Sequence, residues 1–226
     1  MSTLICFALK EEAAPFHKLA AQRPGVFTVI VGIGRQNAER SVRHFLASAA
    51  PELVLTCGFA GGLNPELKVG EVVFEIGKQQ SATGNQSEPP DVGCYEKLMA
   101  AGAKPVKFFC ADRIATTVTE KKRLRDETGA DAVEMESAAI QAVCAEKNIP
   151  CATVRAISDP ADEDLPLDFN ALAKADRSID FGKLAWAVAK SPGKIGALLA
   201  LQKKTQLAAQ RLAETLAKIL QSPNLG

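Results

Sequence analysis

Short, continuous apolar runs separated by longer stretches of helical period constrain this chain more than any other feature. Residues 3–9, 27–32, 53–59, 71–76, 106–109, 132–135 and 151–157 are such runs. They do not alternate apolar with polar, so they predict strands covered on both faces. Between them, residues 11–22, 36–49, 120–128 and 137–147 are rich in helix formers. In the last of these, Ala139, Val143 and Lys147 lie along one row beside Ile140 and Cys144, which gives one apolar stripe. The alternation predicts an α/β domain of three layers (αβα), with helices on both faces of a mainly parallel or mixed central sheet.

Two segments break the rhythm. Residues 77–93 are polar and hold Pro89 and Pro90, which predicts a surface loop. Residues 160–168 are acidic and irregular. After Asp168 the chain turns Ala/Leu/Lys-rich with no further strand, and Pro192 and Gly193 should end one helix and start another over 194–221. The expected division is a catalytic body over residues 1–177 and a helical C-terminal extension over 178–226.

Charge and cysteine content exclude several classes. The 27 basic residues balance 26 acidic ones, so no overall field favours a nucleic-acid partner. The balance hides an asymmetry: the extension holds seven basic residues against two acids, leaving the body at −4. Six cysteines at irregular spacing, several in apolar runs, read as free buried thiols in a reducing, cytoplasmic setting. His17 and His44 are far apart, so no metal site is expected. The Gly32-Ile33-Gly34 turn lacks the third glycine of a dinucleotide fingerprint, since Asn37 stands there; no cofactor is expected. The run over 4–9 has no basic residue before it and reads as a strand, not a signal peptide. No run reaches the roughly 18 apolar residues a membrane span needs.

Ligands of α/β sheets bind outside the carboxyl ends of the strands. Glu11 and Glu12 follow the first strand, and Gly32, Ile33, Gly34 and Arg35 the second. Gly58, Phe59, Ala60, Gly61 and Gly62 end the third; Glu134, Met135 and Glu136 close the strand over 132–135; Ser158 and Asp159 close the last. Each piece has an ordinary reading. Acids offset the positive end of a helix dipole, glycines make tight turns, Met fills core gaps, and Asp before Pro forms turns. The convergence of acids and glycine turns at one edge is what points to a site.

In this order, Ala8-Leu9-Lys10-Glu11-Glu12, Gly32-Ile33-Gly34, Gly58-Phe59-Ala60-Gly61-Gly62-Leu63, Gly70-Glu71-Val72-Val73, Val133-Glu134-Met135-Glu136-Ser137 and Arg155-Ala156-Ile157-Ser158-Asp159 resemble the purine nucleoside phosphorylase/nucleosidase superfamily. The resemblance covers about residues 3–175 and is greatest to the methylthioadenosine/S-adenosylhomocysteine nucleosidases. It implies a phosphorylase/hydrolase-like fold, a homodimer, and a small-molecule nucleoside as substrate. It also implies roles. Asp159 matches the acid that protonates purine N7, and so must hold a proton near neutral pH, which burial or a neighbouring carboxylate would favour. Glu12 matches the base that takes a proton from the attacking water. Glu136 matches the acceptor of the ribose 2′- and 3′-hydroxyls, beside Glu134 and Ser158. Gly34, Ala60 and Gly61 line the substrate-binding site, Met135 packs on the ribose face, and Phe59 and Ile114 border the purine, with the Ile114 backbone as a base contact.

Water or phosphate as nucleophile is the main fork. Phosphorylases of the superfamily hold phosphate with arginines, including one in the loop after the first strand, where this chain has Glu11 and Glu12. A carboxylate about 4 Å from a phosphate charge costs on the order of 4 kcal/mol at an effective dielectric near 20. Hydrolysis is therefore expected, with phosphorolysis the alternative; a non-catalytic nucleoside-binding protein is the rival from another class. Arg113 stands where those nucleosidases place an aromatic residue, and Phe59 where they place a small hydroxyl residue. Asp159-Pro160-Ala161-Asp162, Leu165-Pro166 and the tail are similar to the hopanoid-associated phosphorylase-like proteins, which implies adenosylhopane as substrate. In the tail, Ile195, Leu198, Leu199, Leu201, Leu207, Leu212, Leu216, Ile219 and Leu220 form an apolar face among lysines. That pattern fits peripheral contact with an anionic membrane. It fits equally a helix packed on the body or on a second subunit.

Overall fold

The structure, a computed structural model, describes residues 2–20, 23–77, 92–172, 174 and 181–221. Strands β1 (Thr3–Phe7), β2 (Val26–Ile30), β3 (Leu53–Gly62), β4 (Val72–Ile76), β5 (Lys104–Pro105) and β8 (Cys151–Asp159) run β2-β1-β3-β8-β4-β5 across one sheet. The sheet is mixed: β1 pairs parallel with β2 and β3, β3 parallel with β8, and β4 antiparallel to β8. Beyond Ala60 the register of β3 on β8 shifts, and Gly61 and Gly62 pair antiparallel with β7 (Ala132–Glu134), which itself pairs with β6 (Phe108–Cys110). The single run expected over 106–109 is thus two short strands. β5 closes on β4 at one edge of the sheet, while β6 pairs with β7, which joins the sheet off its main path through the end of β3.

Helices α1 (Lys10–Leu19), α2 (Arg35–Phe45), α4 (Val118–Thr128) and α5 (Ser137–Glu146) fall where the periodicity places them. α3 (Val92–Ala100) was not expected; its buried Cys94 and Leu98 are one helical row apart. The loop expected over 77–93 lies, from 78 to 91, outside the described residues. One core sits under α1 and the long last helix (Ile195–Gln221) and joins Phe7, Phe16, Leu55 and Phe74. The other, under α2 and α5, joins Leu4, Val42, Val54, Ile140 and Val143. β2 departs from the expectation of two covered faces, since as an edge strand it leaves Phe27 44% and Ile30 37% exposed.

The last part of the chain holds α6 (Phe169–Leu172), α7 (Phe181–Lys190), a 3₁₀ turn (Pro192–Lys194) and α8 (Ile195–Gln221). The apolar face read along α8 serves two purposes. Leu212, Leu216 and Ile219 lie in the same core as Phe7 and Leu55, so this end of the extension is integral to the body. Ile195, Leu199 and Leu207 remain exposed. Among the described residues no helix is long and apolar enough to cross a membrane. All six cysteines are free, and only Cys110 is not fully buried.

Candidate active site

Three glutamates from different parts of the chain meet around one arginine. Arg155, at the middle of β8, is 1% exposed and places Nη2 2.6 Å from Glu134 Oε2 and 3.4 Å from Glu136 Oε2. The same nitrogen reaches Thr56 Oγ1 at 3.2 Å, and Nε is buried without a partner. Glu12 joins them from the first turn of α1. Its Oε2 accepts the N–H of Leu9 at 2.9 Å, the return arm of a helix cap, and its Oε1 accepts the N–H of Phe59 at 2.9 Å. Gly58 permits this closeness: a Cβ there would stand 2.5 Å from Arg155 Nη1 and 2.6 Å from Glu12 Oε1. Glycine at this position is required by the site itself.

The second glycine turn serves Glu136. Gly34 has φ +85°, the left-handed region glycine favours, and its N–H donates to Glu136 Oε1 at 2.8 Å. Glu134 was expected to bind substrate, yet both its oxygens are used inside the protein. Oε2 accepts from Arg155 and from the N–H groups of Glu136 and Ser137, and Oε1 from the Ser137 hydroxyl at 2.6 Å. It orients the site from behind.

The electrostatics separate the three acids. Burial pushes the Glu12 carboxyl up to about 7; Arg155 and its two N–H donors oppose this and Glu136 adds to it. Burial likewise raises Glu136, opposed by Arg155 and supported by Glu134. Burial would raise Glu134 too, but Arg155, the Ser137 hydroxyl and two backbone N–H groups outweigh it and hold that carboxyl low. Arg155 stays charged, because the three glutamates overcome its own burial. One carboxylate is thus held as an anion, while burial makes the other two hold a proton more readily than a solvated glutamate does.

Asp159 ends β8, four residues and about 13 Å of strand beyond Arg155. It is 8% exposed and lies beside Gly61, with which it pairs. The Ser158 hydroxyl donates to its Oδ1 at 2.7 Å and to the Ala60 carbonyl at 3.3 Å. Of the two surroundings expected for Asp159, burial is present, whereas Oδ2 faces a cation and not a neighbouring carboxylate: Lys121 Nζ, at 2.7 Å. Lys121 is not among the expected residues, because a lysine on the polar helix α4 reads as a solvated one, yet it is fully buried.

Several of the remaining expected residues have partners inside the protein. Met135 is half-buried between the two acids. The Phe59 side chain packs against the core under α1 and α8, so its N–H, not its ring, is what touches the acid cluster. Ile114, expected to offer its backbone to the base, already spends it on Asn170. Its N–H donates to Asn170 Oδ1 and its carbonyl accepts from Nδ2, each at 2.9 Å. Arg113 is exposed and ion-paired with Glu120. Arg35, the first residue of α2, donates to the Cys110 carbonyl at 2.6 Å and pairs with Asp112 at 3.2 Å. Among the described residues, no group of three or more His, Cys, Asp or Glu side chains is arranged to hold a metal ion.

A mixed α/β sheet carrying buried acids at the carboxyl ends of β1, β7 and β8 defines an acid–base enzyme site of the α/β class. The model of the phosphorylase superfamily matches residues 10–190, and the chain belongs to that superfamily. Its relatives include the 5′-methylthioadenosine/S-adenosylhomocysteine nucleosidase of Shewanella halifaxensis, 29% identical over 182 residues that cover 67% of this chain and 76% of that protein. The enzyme of the same name from an Exiguobacterium species is 29% identical over 204 residues, covering 79% and 87%. Two solved structures share the fold. The nucleosidase of that name from Neisseria meningitidis, in complex with methylthio-immucillin-A, has TM-score 0.70 at 21% identity, covering 98% of this chain and 99% of its own. Futalosine hydrolase of Helicobacter pylori has TM-score 0.69 at 18% identity and 97% coverage of both chains.

Proposed function

We propose that the protein is a purine nucleosidase, which hydrolyses the N-ribosidic bond of a 5′-modified adenosine and releases adenine. The observation that carries this reading is Glu12, buried, with both carboxylate oxygens on backbone N–H groups and its titration lifted to about 7. Such a carboxylate can take a proton from water near neutral pH. Water adds to C1′ as Glu12 removes its proton. Glu136 accepts hydrogen bonds from the sugar hydroxyls, and its negative charge favours the oxocarbenium-like sugar. The C1′–N9 electron pair leaves with the purine, and N7 takes a proton from Asp159. Phosphate suits the site poorly as nucleophile, because Arg155 is committed to Glu134 and Glu136, and Arg35 to Cys110 and Asp112.

The 5′ substituent in this reading is bulkier than methylthio, with adenosylhopane as the candidate, and the enzyme meets it at an anionic membrane. Residues 181–213 contain six basic residues and no acid. Trp186 is 62% exposed beneath Lys190, whose Nζ stands 3.7 Å from the ring, and Ile195 and Leu199 are exposed beyond it. The homodimer has a candidate face at edge strand β2, where Leu19, Phe27 and Ile30 are exposed.

Release of free base from 5′-methylthioadenosine, S-adenosylhomocysteine, a 5′-alkyl adenosine of long chain and inosine tests the assignment. The expected result is adenine release without phosphate, fastest for the long-chain compound; absence of base release from all four sinks it. Co-sedimentation with phosphatidylglycerol vesicles should weaken when Lys190 and Lys194 become Glu. Unchanged binding removes the membrane contact.

A further inference from the structure

Lys121 has no part in the chemistry described so far, yet its charge is fully enclosed beside the acids. It lies in the first turns of α4, which Thr117 caps by accepting the Glu120 N–H at 3.2 Å. Its side chain is 0% exposed, and Nζ lies 2.7 Å from Asp159 Oδ2, 2.7 Å from the Pro160 carbonyl and 3.0 Å from the Glu163 carbonyl. An ammonium has three N–H donors, and all three are matched. Taking an ammonium out of water costs several kcal/mol unless it is well paired. Holding the 160–165 loop does not require one. The Val118 N–H donates to Asp164 Oδ1 at 2.6 Å and the Leu165 N–H to the Thr116 carbonyl at 2.8 Å. The other charges around the pair are engaged elsewhere: Glu163 with Lys204 of α8, Glu120 with Arg113, and Asp164 with Val118. Asp162 is exposed, and β3 presents the uncharged Gly61 and Gly62 to this end of β8.

We propose that Lys121 is a positioning residue for the leaving-group acid, aiming Asp159 and holding the proton that Asp159 passes to the purine. The proposal rests on reading Asp159 as that acid. In the resting site the proton is on Lys121 and Asp159 is a carboxylate, held by Ser158 on one oxygen and Lys121 on the other. As C1′–N9 breaks, its electron pair passes into the purine. N7 takes a proton from Asp159, and Asp159 takes one from the Lys121 ammonium, which becomes an amine. Glu12 meanwhile holds the proton removed from water, and exchange with solvent after product release restores both groups.

The direction of a pH shift tests this. The proposal makes an ammonium, and not a carboxylic acid alone, the store of the purine's proton, and an ammonium gives up its proton at higher pH. In Lys121→Met and Lys121→Gln, the alkaline limb of kcat/KM for the fastest-cleaved nucleoside should move to lower pH by a unit or more. The fall in kcat should exceed tenfold above pH 8, with KM within about threefold of wild type. Gln keeps a donor for the two carbonyls, so it reports even where Met fails to fold. A limb that stays in place or moves to higher pH, in whichever variants fold, overturns the proposal and leaves Lys121 a structural residue. Asp159→Asn separates the two layers: full turnover in that variant defeats the assignment of Asp159 itself. In the Asp159→Asn background, Lys121→Gln should cause no further loss of rate.

Discussion

Replacing Glu12 by Gln tests the account through stability as well as through activity. Glu12 titrates at an ordinary 4.5 when solvated and at about 7 in the folded protein, because burial disfavours its charge. The folded state therefore binds more protons than the unfolded state between those two values. The sign follows: the contribution is fully present below about pH 4.5 and is lost as pH rises through 7. The size is 2.5 pH units at about 1.4 kcal/mol each, on the order of 3 kcal/mol over the whole window. Gln cannot titrate, so the variant escapes this loss. It does leave one of the N–H groups of Leu9 and Phe59 without an acceptor, a cost of about 1–3 kcal/mol, but that cost does not vary with pH. The measured quantity is the difference in unfolding free energy between variant and wild type, from urea denaturation at pH 5 and at pH 8.5. It should move in favour of the variant by on the order of 2–3 kcal/mol across that range, while base release falls at least a hundredfold. A difference that stays flat, or moves toward wild type as pH rises, would refute the reasoning about Glu12.

Two further substitutions probe the same cluster. Arg155→Met leaves Glu134 and Glu136 buried without their cation and should cost about 3–5 kcal/mol in urea unfolding at pH 7; a cost within 1 kcal/mol would deny the ion pair its role. Asn170→Ala frees the Ile114 N–H and carbonyl, which present the complement of the acceptor and donor on the adenine N1/N6 edge. KM should change severalfold while kcat holds, and unchanged KM places the base elsewhere.

The sheet was legible because its central strands are buried on both faces and so read as mainly apolar runs; Leu4 to Phe7 and Leu53 to Leu55 are the best instances. β5 and β6 were blurred into one because two-residue and three-residue strands carry too little pattern to separate. Of the site, the acids after the strands were visible from their positions, and Gly58 and Gly34 from their turns. What those residues do to one another was not. Glu134 and Glu136 are two apart and chemically alike, and only the partners that folding brings set them apart: Arg155 at 2.6 Å and the Ser137 hydroxyl for Glu134, Arg155 at 3.4 Å and the Gly34 N–H for Glu136. Lys121 escaped because α4 is otherwise polar, and a lysine on such a helix reads as a solvated face. The tail showed its apolar stripe but not the point near Leu207 where the stripe passes from solvent into the core.

The central claim is that buried acids activate water, and not phosphate, against a purine nucleoside. Single-turnover cleavage of a 5′-modified adenosine in ¹⁸O-labelled water measures it most directly. The account predicts label at C1′ of the released sugar, at the same rate with and without phosphate. Unlabelled ribose 1-phosphate, formed only when phosphate is added, would contradict it.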